Sequence, residues 1–155
     1  MRKAVRAIIV KDDQLLVIKR NKFGSEYYTL PGGKIDMGET AEAAIAREVR
    51  EECSVEISNL RLVIVEEAGD PYGTQYIYKG DYVGGEPKLD PASTEAAIHA
   101  MGQNLYIPMW LPLSDLPQTS LVSIELRQCM LEGLKNDFTG EVQTIHSNPK
   151  MSYNS

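Results

Sequence analysis

The chain has 155 residues, 43% of them aliphatic, aromatic or cysteine, and a net charge of −6 from 22 acidic and 16 basic side chains. That length suits one domain able to bury close to ~70% of the surface its unfolded form exposes. No apolar run approaches the roughly 18 residues that span a bilayer, which leaves no membrane partner. The acidic balance disfavours nucleic acid as a partner, because a sequence-independent grip on it rests on lysine and arginine contacts to phosphate.

Basic residues at the N-terminus precede only a short apolar run before Lys11-Asp12-Asp13, so no secretory signal is expected. Cys53 and Cys129 fall on predicted helices among apolar neighbours and lack any C-x-x-C spacing. They read as buried thiols in a reducing, cytoplasmic compartment.

In chain order, Ala4 to Val10 and Leu15 to Ile18 are apolar runs around Lys11-Asp12-Asp13-Gln14, a hairpin signal. Lys19 to Ser25 is the most basic short stretch. It reads either as a solvated hairpin exit or as a loop in which Arg20 or Lys22 meets a phosphate. Tyr27-Tyr28-Thr29-Leu30 should be extended, because Pro31 turns its predecessor away from the helical region. Pro31-Gly32-Gly33 then breaks the chain into a turn where the backbone can approach a ligand closely.

The stretch from Gly33 to Val55 carries the chemistry. Its helix places Glu48, Glu51 and Glu52 at i, i+3 and i+4, on one face. Like charges that close repel one another. Either solvent spreads them, as on many acidic helix faces, or a cation sits between them. Hard divalent ions such as magnesium pair carboxylates with phosphate oxygens and water. Ile45, Val49 and Cys53 form an i, i+4, i+8 stripe about a quarter turn away, so one side can pack on a sheet while the glutamates face a cleft. An acidic cleft admits a phosphorylated substrate only if cations bridge the two.

Ile57 to Glu66 and Gln75 to Val83 read as strands, joined by the Gly- and Pro-containing loop from Glu67 to Thr74, and Glu66, Glu67 and Asp70 are spare acids at this end. Gly84 to Pro87 is a turn, and Lys88 to Met101 should hold a short helix starting near Pro91. Pro108 and Pro112 confine the strand Leu105 to Leu113 to an edge or bulge. Leu121 to Leu134 has helical periodicity, with Leu121, Ile124, Leu131 and Leu134 on one face. Gly140 to Ser155 is polar and expected to be a loose tail beyond a single domain over residues 1–139.

Gly33, five residues, Glu39, seven residues, Arg47-Glu48-Val49, one residue, Glu51-Glu52, one residue and Ser54-Val55 resembles the signature of the Nudix hydrolases. The family has glycine where this chain has Ser54. Glycine is usual at a helix C-terminus because it accepts a left-handed conformation at little cost, so serine there should cost stability while removing no ligand.

The resemblance implies an α/β fold, an α/β/α sandwich built on a mixed β-sheet. It also implies hydrolysis of a nucleoside diphosphate linked to a group X, with Mg2+ or Mn2+ as cofactor and a small-molecule nucleotide as substrate. On that pattern Glu48 and Glu52 are metal ligands, Glu51 is a third ligand or the base, and the Gly32 carbonyl is a further ligand. Arg47 orients the glutamates, Gly33 makes the turn, and Glu39 supports the helix start or a further metal. Glu67 and Glu95 are alternatives for the base. The loop from Glu67 to Thr74 resembles the variable loops that cover the cleft in this family.

Tyr28 stands where many members carry the tryptophan of W-x-L-P-G-G. It either stacks on a base or is a buried strand aromatic. Trp110 to Leu116 resembles the segment leading into the family's last helix, with Trp110 a packing anchor. Two other readings stay open, a non-catalytic nucleotide-binding module and an RNA 5′ pyrophosphohydrolase, which would want a basic strip beyond the site. Family members are often homodimers, although no heptad or exposed apolar stripe here marks an interface.

Overall fold

The structure, a computed structural model, describes residues 3–149. β1 (Lys3–Lys11) and β2 (Gln14–Lys22) form the expected hairpin, turning through Asp12 and Asp13 in the left-handed region. β2 continues past Ile18 because its second half is paired on both sides, with β3 (Ser25–Thr29) and with β7 (Asn104–Pro112). Most of the basic stretch is therefore strand, which corrects the loop expected from its polarity: backbone pairing on two edges outweighs a polar sequence.

β4 (Gly32–Lys34) lies antiparallel to the start of β1. β5 (Glu56–Glu67) and β6 (Thr74–Gly84) form the second hairpin, and β6 runs parallel to β1. The sheet order is β3-β2-β1-β6-β5-β8, where β8 is Gln143–His146, with β4 beside β1 and β7 beside β2. Parallel β1–β6 and β5–β8 pairs among antiparallel ones make it mixed. β7 pairs with β2 alone among the described strands, placing Pro108 opposite Ile18 and Pro112 opposite Gln14, as an edge strand tolerates.

Alternation along β1 and β2 divides the core between two faces. Val5, Ala7, Ile9, Leu16 and Ile18 point to one side, where α1 (Ala41–Cys53) buries Ile45, Val49 and Cys53 against them. Ile8, Leu15 and Val17 point to the other, where α3 (Ile124–Leu134) contributes Leu126 and Met130. Helices on both faces of a mixed sheet give the expected sandwich. Trp110 packs on the α1 side and meets Tyr82 edge-on at 5.6 Å, the anchor expected of it. Both cysteines are free thiols, Cys53 buried and Cys129 half-buried. Among the described residues no helix is long and apolar enough to cross a membrane.

Two further elements differ from expectation. The last helix starts at Ile124 rather than Leu121, because Ser123 caps it: the Ser123 Oγ accepts the Leu126 N–H at 3.0 Å. Leu121 stays extended in a bridge to Tyr28 and is buried there, whereas Ile124, in the first turn, is 38% exposed. The second difference lies in the expected loose tail, where β8 pairs in parallel with Ile64 to Glu67. Four residues, mostly exposed, carry too little apolar pattern to announce a strand, and the open edge of β5 supplies the pairing. Residues 150–155 of that expected tail lie outside the described residues.

Candidate active site

The site is built where β4 meets α1. The Thr40 Oγ1 accepts the Ala43 N–H at 3.1 Å and starts the helix. Ser54 ends it in the left-handed region at φ 58°, its N–H donating to the Arg50 carbonyl. With the Ile45, Val49 and Cys53 face buried, Glu48 and Glu52 are turned towards β4 and are themselves only 8% and 5% exposed. The Gly32 N–H donates to the Glu52 Oε1 at 2.9 Å.

Gly32 and Gly33 belong to β4, not to the turn expected of them, because pairing with Arg6 and Val5 holds them extended, and both are sterically constrained there. A Cβ on Gly33 would stand 2.7 Å from the Glu48 Oε1, and one on Gly32 would stand 2.0 Å from the Val5 carbonyl oxygen, at a φ of 150°. A backbone oxygen in a sheet cannot move aside, whereas a carboxylate can. Gly32→Ala is therefore expected to destabilise the fold by about 3 kcal/mol or more. Gly33→Ala should fold and instead displace the Glu48 carboxylate. Urea unfolding of the two variants checks the difference, and equal midpoints would contradict it.

Arg47 is the hub of the acidic face. Its Nε and Nη2 donate to the Glu39 carboxylate at 2.7 and 3.1 Å, and its Nη1 reaches Glu48 at 3.0 Å and Glu51 at 3.4 Å. Nη2 also donates to the Lys34 carbonyl at 3.2 Å, which ties the helix to the end of β4. Glu39 in turn accepts the Asp36 N–H at 3.0 Å. The Arg47 fork holds the Glu39 carboxyl below its ordinary range, with the Asp36 amide adding to the effect.

The two deeper glutamates behave oppositely. Burial pushes Glu52 up to about 8, over the opposing pull of Arg6 and the Gly32 amide, and Glu48 and Glu95 push it the same way. Burial likewise raises Glu48, against its bond to Arg47, with Glu95 and Glu51 adding repulsion.

These side chains line an open polar cleft of about 580 Å³, together with Arg6, Arg20, Lys34, Thr94, Glu95 and Tyr106. Arg20 lies with its guanidinium 3.7 Å from the centre of the Tyr106 ring and 5.7 Å from that of Tyr27. Its Nε donates to the Leu105 carbonyl at 3.1 Å, and its Nη2 bonds the Asn104 side chain. Glu95 enters from α2 (Thr94–Ala100), and its Oε2 is buried without a hydrogen-bond partner.

Glu39, Arg47, Glu48, Glu51, Glu52, Gly32 and Gly33 are thus brought together, with Arg20 across the cleft. Lys22 is exposed at the end of β2, away from the cleft lining. Tyr28 packs into the core on the α3 side. Nor do the spare acids line the cleft, and Glu66 and Glu67 belong to β5 rather than to the loop after it. Glu66 is buried and accepts the Ser123 hydroxyl at 2.5 Å, Glu67 accepts the Thr74 hydroxyl at 2.9 Å, and Asp70 lines a separate hollow. Arg6 and Tyr106 are cleft residues that sequence reasoning passed over. Arg6 had a readable signal, a lone charge inside the apolar alternation from Ala4 to Val10, whereas nothing in Leu105 to Leu113 distinguished Tyr106.

A family model described as the NUDIX domain matches residues 1–128. The chain belongs to the Nudix family. Relatives and structural neighbours that it resembles carry the names of hydrolases. It is 35% identical to the NAD-capped RNA hydrolase NudC of Pectobacterium carotovorum over 83 residues, 54% of this chain and 32% of that protein. To the NudC of Shigella dysenteriae it is 32% identical over 111 residues, 72% of this chain and 41% of that protein. The match thus spans well under half the length of these relatives.

Among solved structures, a MutT NUDIX hydrolase from Burkholderia pseudomallei superposes with a TM-score of 0.64 at 28% identity, covering 84% of this chain and 95% of that one. A UDP-X diphosphatase superposes at 0.66 with 18% identity, covering 92% and 66%, a likeness of fold.

Nudix hydrolases generally use divalent metals. Among the described residues no three His, Cys, Asp or Glu side chains stand at ion-binding spacing. The Arg47 Nη1 reaches both Glu48 and Glu51, and so occupies the position between them. The donor set nevertheless suits a hard divalent ion: carboxylate oxygens, two of them on side chains whose pKa is raised by burial and mutual repulsion.

Proposed function

We propose that this chain hydrolyses a nucleoside diphosphate linked to another group X, with Mg2+ or Mn2+ as cofactor. The observation that carries this reading is the composition of the cleft. Glu48, Glu51, Glu52 and Glu95 supply acid oxygens, while Arg6, Arg20 and Lys34 supply cations in the same space. An anionic substrate meets cationic side chains there, and carboxylates stand ready for an ion and for a proton. When bound, the metal supplies charge neutralisation at the diphosphate and a more acidic water.

Glu48 and Glu52 are the ligands we assign, with the Gly32 carbonyl beside them and Glu51 as either a third ligand or the base. Arg47 keeps Glu48 and Glu51 in place through the fork anchored on Glu39, a positioning role. In the reaction a water oxygen bonds to phosphorus, the bridging P–O bond breaks, and the bridging oxygen leaves on the second phosphate. The water's proton goes to a cleft carboxylate. Of the acids outside the box, Glu95 faces the cleft and Glu67 does not, so Glu95 joins Glu51 as the candidate base. Arg20 has two of its donors engaged by Leu105 and Asn104, and the remainder are available to a substrate phosphate. We also assign this activity to the cytoplasm, which suits two free thiols.

The relatives named as NAD-capped RNA hydrolases favour a second reading, in which X includes an RNA 5′ end. Net charge is a property of the whole surface, whereas a capped end needs only local cations. The −6 balance therefore does not decide against RNA.

Product analysis over ADP-ribose, sugar nucleotides, dinucleoside polyphosphates, nucleoside triphosphates, NAD and NAD-capped RNA tests both readings. It should be run with magnesium, with manganese and with chelator. Metal-dependent release of a nucleoside monophosphate from a diphosphate substrate is expected, and preference for capped RNA with a steep salt dependence would establish the second reading. A folded protein that binds nucleotide and turns over nothing in the panel would be a binding module.

A further inference from the structure

We infer that Ser54, the one departure from the family signature, is a positioning residue for Glu95. This rests on the proposed reading of the cleft. Between β6 and α2 the chain folds back over the C-terminal end of α1 as a strap. It passes so close that a Cβ on Gly85 would lie 2.2 Å from the Ser54 carbonyl oxygen. The Lys88 N–H donates to the Cys53 carbonyl at 3.0 Å and the Asp90 N–H to the Glu51 carbonyl at 2.9 Å. Those two bonds use helix-end carbonyls, which any residue at position 54 would leave available.

The third tie is a side-chain bond. The Ser54 Oγ donates to the Lys88 carbonyl at 2.8 Å. Glycine, usual at this place, has no group to make it. Lys88 is thereby held through both its N–H and its C=O.

From the strap the restraint runs on to the acid. The Asp90 carbonyl accepts the Ser93 hydroxyl at 2.7 Å, and the Ser93 Oγ accepts the Ala96 N–H at 3.1 Å, capping α2. Glu95 sits in that first turn. At the far end the Tyr106 N–H donates to the His99 Nδ1 at 3.1 Å, docking α2 on β7. The Glu95 side chain is otherwise unanchored, with its Oε2 lacking any hydrogen-bond partner, so its position depends on the backbone that carries it. A serine kept in the left-handed region, where glycine is more stable, is accounted for by this tie.

Two substitutions separate positioning from stability. Ser54→Gly relieves the left-handed strain and should raise the melting temperature, whereas Ser54→Ala keeps the strain and should lower it. Both remove the hydroxyl. Both are expected to speed amide exchange at Lys88 and Asp90 in the metal-free protein by about three- to tenfold and to lower kcat by a similar factor, the scale of one hydrogen bond. Asp12→Gly, which relieves a like φ of 50° in the distant β1–β2 turn, should leave kcat unchanged.

Wild-type exchange at Lys88 and Asp90 in both Ser54 variants, or full kcat in Ser54→Gly beside a working wild type, would overturn the inference. If the wild type itself turns over nothing, the proposed function fails. The exchange rates then still decide whether Ser54 ties the strap.

Discussion

Glu52→Gln is expected to lower metal-dependent turnover by at least about 10²-fold, the scale of losing one principal electrostatic group at a reacting phosphate, and to make the metal-free protein more stable near neutral pH. The two effects have one cause. Glu52 is 5% exposed and its pKa is pushed up to about 8, far above the ordinary 4.5. Between those values the folded state keeps a proton that the unfolded state gives up, so wild-type stability declines as pH rises from the ordinary carboxylate range through about 8. Below that window both states are protonated and Glu52 contributes nothing.

Glutamine keeps the shape and can still accept the Gly32 N–H, but it removes the titration. The variant should therefore gain over wild type as pH rises from 4.5 to 8.5 in urea unfolding with chelator present, the two converging at the acid end. Added magnesium should stabilise the wild type more at the alkaline end, where the ligands are deprotonated, and the variant much less. Full turnover in Glu52→Gln would remove Glu52 from the site. Parallel stability profiles for the two proteins would show that its burial costs nothing.

The acidic helix α1 was legible because spacing and pattern coincide there. Carboxylates at i, i+3 and i+4 and an apolar stripe a quarter turn away require a helix with two differently used faces. In the structure Ile45, Val49 and Cys53 are fully buried while Arg47, Glu48, Glu51 and Glu52 line the cleft. Hairpins were legible from alternation, and the edge character of β7 from its prolines. What was not legible depended on partners distant in sequence. β8 exists because β5 leaves an edge open, and the basic end of β2 is strand because β3 and β7 flank it. Tyr28 and Tyr106 are equally aromatic in the sequence. Register on the sheet sends Tyr28 into the α3-side core and Tyr106 to the face of Arg20. Ser54 was readable as a departure and as a helix end, but its bond to Lys88 spans a strand hairpin that no local pattern connects.

Val49→Asp is expected to remove a large part of the domain's stability at 25 °C. Val49 is 0% exposed and packs with Ile45 and Cys53 against Val5, Ala7, Ile9, Leu16 and Ile18, a surface with no cation to pair an introduced carboxylate. An uncompensated buried charge costs about 3–5 kcal/mol, against a total stability of about 5–15 kcal/mol for a domain. Loss of the Val49 methyl contacts adds to that. The substitution strikes the joint between scaffold and site, because Glu48 and Glu52 are aimed at β4 only while the opposite face of α1 is seated on the sheet. Ala43→Asp, on the exposed face of the first turn of the same helix, serves as the comparison and should fold normally, since an acid there favours the helix dipole. Far-ultraviolet circular dichroism and urea unfolding distinguish the two. A Val49→Asp protein with native stability would mean that α1 presents another face to the sheet and that the glutamates do not share the cleft described for them.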